Sequence, residues 1–218
     1  MVIPFPESET TLPRNGQIIL ISVNGKDERL PQMGTRGVAL VAKGHRVPLK
    51  VVETHDDPDG YGEAAAVLKP TRRLRPGLTY ELRWAAREDY PFSWQVSRKK
   101  DRRAPAWRAR PVHEIAQKDG PGYQGSPLVR IHASDGHGPL AIRATLQVGS
   151  VKRTAIWDFQ HEECAFTGYL AANLKGPARL QMTLLDTAGN RSEKTHTVTL
   201  PGDLSAYLCP ESPPAASP

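Results

Sequence analysis

Two stretches of this chain alternate strictly between oily and polar positions. In TYELRW, residues 79–84, Tyr80, Leu82 and Trp84 fall on one side and Thr79, Glu81 and Arg83 on the other. FSWQVS, residues 92–97, repeats the arrangement with Phe92, Trp94 and Val96. A strand turns successive side chains to opposite faces, so a period of two marks a half-buried antiparallel strand. Similar stretches predict further strands over 17–23, 37–43, 47–54 and 64–69 in the first half. In the second half they predict strands over 128–134, 140–148, 152–159, 164–171, 179–186 and 194–200. No window of useful length carries the 3.6-residue repeat of an amphipathic helix. Short strands divided by turn residues at this spacing predict an all-β protein of sandwich or barrel type.

The segment LLDTAGNRSEKTHTVTL, residues 184–200, reads as a hairpin. Asp186 is placed to accept backbone N–H groups in the turn, and Gly189 and Asn190 are residue types that tolerate positive φ. Each has a structural task, and none needs a substrate.

An internal echo sets the domain count. LRPGLTYELRW (74–84) aligns with LKGPARLQMTL (174–184), one hundred residues later. Leu74 falls on Leu174 and Pro76-Gly77 on Gly176-Pro177, while Tyr80, Leu82 and Trp84 fall on Leu180, Met182 and Leu184. A corner followed by an inward triplet thus occurs once per half. The expected organisation is two tandem units with a boundary near 98–105.

FPESETTLPRNGQIIL followed by LKPTRRLRPGLTYEL resembles bacterial immunoglobulin-like domains, with prolines before the first core strand and an L-x-P-G-x-x-Y corner. The stretch from DRRAPAW to LLDTAGNRS is similar to fibronectin-III-like modules. The resemblance implies two tandem Ig-like or fibronectin-III-like antiparallel β-sandwiches. They span 1–97 and 106–202, joined by a short basic linker at 98–105 and followed by a Pro-rich tail at 203–218. It also implies a tyrosine corner in which the Tyr80 hydroxyl bonds backbone near Leu74. Leu180 stands at the matching place in the second half, which therefore lacks that bond. A secreted, periplasmic or cell-surface location goes with such modules, and with it a Cys164–Cys209 disulfide. In a reducing compartment the two would instead be a buried and an exposed free thiol.

Composition fits many short elements better than long helices. The chain has 218 residues, 20 of them Pro and 18 Gly, and a mean hydropathy of −0.48. No apolar run approaches the roughly 20 residues of a membrane-spanning helix. The opening MVIPFPESETTLP shows no basic region followed by an apolar one, so it does not read as a secretion signal, and a cytoplasmic location stays open. Net charge is +6. Residues 1–97 hold 13 Lys/Arg against 12 Asp/Glu, and residues 106–218 hold 11 against 10. The excess lies in RKKDRRAP (98–105), where Arg98, Lys99, Lys100, Arg102 and Arg103 face one acid. A nucleic-acid binder usually spreads its charge over a folded face, so a solvated linker is the expectation. Polyanion contact through those five side chains is the remoter reading.

Candidate chemistry is sparse. HDDPDGYGE (55–63) sets Asp57, Asp59 and Glu63 around a Gly turn, the kind of oxygen-rich loop that takes calcium, although turn chemistry alone also explains it. His132, Asp135 and His137, with His161, Glu162, Glu163 and Cys164, are residue types that bind zinc or copper if loops gather them. Alternation turns His132 outward, away from the core-facing Val129, Ile131 and Ala133. There is no G-x-S-x-G elbow, phosphate loop or H-E-x-x-H. The expected function is a non-catalytic interaction or spacer module for protein or glycan, with no cofactor. Tyr61, Tyr90 and Tyr123 sit in loops as candidate contact residues. The alternative is a metal-binding module using the calcium loop or the histidines.

Overall fold

The computed structural model describes residues 2–22, 37–55, 64–84, 92–116, 126–135, 138–159, 174 and 176–200. Among them are sixteen strands and no helix. The first eight are β1 (Val2–Phe5), β2 (Thr11–Leu12), β3 (Ile18–Ser22), β4 (Ala39–Ala42), β5 (His45–His55), β6 (Ala64–Pro70), β7 (Thr79–Arg83) and β8 (Ser93–Val96). They form one sheet in the order β1-β3-β6-β5-β4-β7-β8-β2, antiparallel throughout except where β2 runs parallel to β8.

The long strand β5 belongs to both ends of this ribbon. Its residues 45–48 pair with β4, and residues 49–55 pair with β6. Inward side chains from the two ends, Ile18, Leu20, Ala66 and Leu68 on one side and Leu40, Tyr80, Leu82, Trp94 and Val96 on the other, meet in a single apolar cluster. Tyr80 is buried, and its hydroxyl accepts the Arg75 N–H at 3.1 Å, on the backbone next to Leu74. Trp94 is buried too, its Nε1 donating to the Pro6 carbonyl at 2.9 Å.

The later strands are β9 (Ala106–Trp107), β10 (Val112–Ala116), β11 (Ser126–Arg130), β12 (Ala133–Ser134), β13 (Leu140–Val148), β14 (Val151–Phe159), β15 (Ala178–Asp186) and β16 (His196–Leu200). Four make an antiparallel sheet, β14-β13-β15-β16, while β10 pairs with β11 and β12 with β9. Leu140, Ile142, Ala144 and Leu146 of β13 pack with Leu180, Met182 and Leu184 of β15 in a second cluster. The echoed triplets therefore point inward in both halves. Gly77 and Gly176 both adopt positive φ, +78° and +108°, so each corner uses its glycine although the order with Pro is reversed.

Strand expectations hold for most of the chain. The stretch 128–134 is split, because β11 and β12 pair with different partners. Between them the His132 carbonyl takes the Arg108 N–H at 2.9 Å. The expected strand 164–171 lies outside the described residues. Strands β1, β2, β9 and β10 were unforeseen; β2 and β9 are two residues each, too short to show alternation. β1 carries Pro4 at the outer edge of its sheet, where a missing donor is harmless.

Tyr80→Phe strips the Arg75 amide of its partner and lowers the unfolding free energy by about 1–2 kcal/mol in a urea titration. An unchanged midpoint would show that the corner bond has no net value.

Candidate functional site

The two halves meet through the outer faces of their sheets. Alternate residues of β3 point opposite ways: Ile18 and Leu20 into the first cluster, Ile19 and Ile21 out of it. The same holds for β6, where Ala64, Ala66 and Leu68 face inward and Ala65 and Val67 outward. The outward set joins Phe5 and packs against Ala141, Ile156 and Leu185 of the C-terminal sheet, forming a third apolar cluster. Burying its six large side chains contributes on the order of 10 kcal/mol of transfer free energy.

At the edge of this seam stands Glu53. β5 carries a bulge between Val51 and Glu53, so that Val51 lies opposite Leu68 while Glu53 lies opposite Val67. Directly opposed residues share a face. The extra residue, Val52, thus shifts Glu53 from the inward face of β5 to the seam face, as bulges characteristically re-aim a side chain. There the carboxylate accepts from Arg143 Nε at 2.6 Å and Arg191 Nη2 at 3.2 Å, both from the C-terminal half. It also contacts His55 Nε2 at 2.7 Å. The His55 hydrogen bond, and then the hydrogen bond and charge of Arg143, hold the Glu53 carboxyl down at about 2 against the opposing pull of burial.

The turn at the head of the 184–200 hairpin locks the other side of the seam. Asp186 is fully buried, and its Oδ1 accepts the N–H groups of Ala188 and Asn190, both at 2.8 Å, as its position in the sequence led one to expect. Gly189 adopts φ +81°. Asn190 does not share that conformation; its carboxamide instead donates to Asp186 Oδ2 at 2.7 Å and to the Arg103 carbonyl at 3.2 Å. Gln17 N–H donates to the Thr187 carbonyl at 2.9 Å. A β-carbon on Gly189 would collide with the Gln17 side chain. The turn therefore does more than reverse a strand.

The connector is pinned here as well. Asp101 is buried; its N–H donates to Asn15 Oδ1 at 2.9 Å and its carbonyl accepts from Asn15 Nδ2 at 2.6 Å. Arg98, Lys99, Lys100, Arg102 and Arg103 are exposed. The expected solvated linker keeps its five basic side chains and Ala104 in solvent, while Asp101 and Pro105 are buried.

Asp101, Asp135 and Asp186 bring one carboxylate oxygen each within 4.8 Å of one another. Burial first, and the Asp101 charge last among its causes, raises the Asp186 carboxyl above the ordinary range, against the hydrogen bonds from Asn190 and Ala188. Hard cations take oxygens of this kind. However, Asp186 already accepts three hydrogen bonds, and Asp101 Oδ1 accepts the Arg103 N–H at 3.0 Å. Turn and connector geometry therefore accounts for these two acids.

Of the residues singled out in the sequence, Asp57, Asp59, Tyr61, Glu63, Tyr90, Tyr123, His137, His161, Glu162, Glu163, Cys164 and Cys209 lie outside the described residues. His132 is half-buried beside buried Val129, Ile131 and Ala133. Asp135 is gathered with Asp101 and Asp186. Sequence reasoning missed Glu53, Arg143 and Arg191. The available signal was the unbroken apolarity of IILI (18–21) and AAAVL (64–68), which an antiparallel strand shows when both faces are covered.

No protein-family model matches the chain, and no curated protein matches it. Among solved structures it is similar to a type I pullulanase from Bacillus subtilis str. 168 complexed with maltose, at TM-score 0.28 and 10% identity. That match covers 97% of this chain and 28% of the other. It is also similar to a pullulanase from Anoxybacillus sp. LM18-11 complexed with maltotriose, at TM-score 0.30 and 8% identity, covering 83% and 24%. The chain thus spans about a quarter of the length of either structure. A likeness at that TM-score carries no argument about fold or activity.

Glu53 gives the seam an acid dependence. Its folded pKa, about 2, lies below the ordinary 4.5, so its contribution is fully present above the ordinary value. That contribution is lost as pH falls from 4.5 toward 2. The expected loss is about 2–3 kcal/mol in denaturant titrations across that window. Glu53→Gln should be less stable at neutral pH and should flatten this part of the profile. An unaltered profile in the variant would assign the acid sensitivity elsewhere.

Proposed function

We infer that this protein is a non-catalytic, extracytoplasmic interaction or spacer module. It is built from two Ig-like or fibronectin-III-like sandwiches, residues 1–97 and 106–202, joined across 98–105. The tyrosine corner at Tyr80 supports the Ig-like assignment of the first unit. The observation that carries the functional reading is the seam: an apolar cluster drawn from both halves, edged by Glu53 held by two arginines. Interfaces between domains of one chain are commonly small and polar, and motion across them is then the default. An apolar seam tied to a pinned connector opposes such motion. A spacer, or a module that presents a composite surface to a protein or glycan, requires that fixed orientation.

Small-angle scattering of the full chain should fit one rigid particle, with a profile unchanged between low and physiological salt. A profile requiring an ensemble of separated halves would contradict the reading. Incubation with arrayed glycans should release no reducing ends, and release proportional to protein concentration would overturn the non-catalytic assignment.

A further inference from the structure

Three segments far apart in sequence bring positive charge to one place on the N-terminal half. The turn between β2 and β3 contributes Arg14, the end of β6 contributes Lys69, the corner after it contributes Arg72 and Arg73, and the connector contributes Lys100 and Arg102. Arg14, Lys69, Arg72 and Arg73 line a cleft of about 220 Å³. Lys69, Arg72, Arg73, Lys100 and Arg102 are exposed. Among the described residues, none of these six cations has a carboxylate partner. The charges are close enough to act on one another: Arg73 foremost, then Arg102, burial and Arg14 hold the Lys100 amine below its ordinary value. Among the described residues the buried Nε–H of Arg14 has no acceptor, a state that folded proteins rarely leave uncompensated.

Both walls of the cleft are fixed. Gly16 N–H closes a turn onto the Pro13 carbonyl at 2.7 Å, and Arg14 N–H donates to the Lys99 carbonyl at 3.0 Å. Across from them, the amide and hydroxyl of Thr71 both donate to the Pro48 carbonyl, at 2.9 and 3.0 Å. Uncompensated charge on a rigid frame is what recognition of an anion needs, because little ordering remains to be done on binding.

We propose that this cleft binds an acidic polysaccharide, with one sulfate or carboxylate substituent seated against Arg14, Arg72 and Arg73 and the sugar chain continuing over Lys100 and Arg102. The proposal rests on the interaction-module reading and names its partner. The cleft is smaller than the ~300–1,000 Å³ sites that enclose small-molecule ligands, so it suits one charged group of a longer chain. Single-stranded nucleic acids are held on aromatic platforms as well as by charge, and among the described residues no aromatic side chain lines this cleft. A charged sugar needs only cations and hydrogen-bond donors, which the site supplies. The charge of the connector thus belongs to a folded face, which the sequence conceals because Arg14 and the Arg72-Arg73 corner lie some 30 to 85 residues away.

Titration calorimetry of the full chain with a heparin oligosaccharide tests this. Affinity should fall linearly on logarithmic axes between about 50 and about 200 mM salt. The exposed double variant Arg72→Glu/Arg73→Glu should weaken binding about tenfold or more. Arg14→Lys, which keeps the charge but removes the Nε donor, should weaken it by about threefold. Lys152→Glu/Arg179→Glu, an equal charge reversal at exposed positions on the other half, should leave affinity within about twofold. Equal weakening by the two double variants, tighter binding of single-stranded DNA of matched charge, or no heparin binding at low salt would each overturn the site. Absent binding with an unchanged scattering profile would remove this site and leave the module standing; turnover of a glycan would remove the module reading itself.

Discussion

The structure depends on strands β3 and β6 being apolar on both faces. A sheet in a simple two-layer body has one oily face and one wet face. Here Ile18 and Leu20 seal one cluster while Ile19 and Ile21, from the same strand, seal another. Once the outer face of the N-terminal sheet is oily it must be covered, and the outer face of the β13–β15 sheet covers it. The arrangement of the halves follows from that requirement more than from the connector between them.

Polar groups at the margin then fix the register of the contact. An isolated carboxylate near an apolar seam would be costly to bury. Glu53 is tolerated because the bulge aims it at two arginines of the opposite half. The turn at Asp186 works in the same sense from the other end. Its carboxylate organises Ala188 and Asn190; the Thr187 carbonyl receives the Gln17 amide, and the Asn190 carboxamide, itself held by Asp186 Oδ2, also donates to the connector. One buried acid thereby orders a turn, a strand end and the chain segment that joins the halves.

Much of this was legible in the sequence, and the limits have physical causes. Alternation in TYELRW and FSWQVS located β7 and β8 because those strands are wet on one side. The Tyr80 corner was readable because its partner, Arg75, is five residues away. Glu53 was not, since a bulge leaves no mark in composition and its partners lie 90 and 138 residues downstream. The basic face was half legible. Five cations in RKKDRRAP are conspicuous, but their association with Arg14 and Arg73 exists only after folding. Asp101 was the least legible: it reads as a lone acid in a basic run, yet it is the buried anchor of that run.

The Gln17 amide offers the most direct test, because among the described residues its acceptor is the Thr187 carbonyl across the seam. Native-state hydrogen exchange measured residue by residue reports the free energy of the opening that releases it. If the halves are joined as described, Gln17 exchanges as slowly as Leu180 and Met182 in the core of the C-terminal sheet. Exchange at the rate of an exposed turn, while those core amides stay protected, would mean that the halves separate in the native state, and the account would fail.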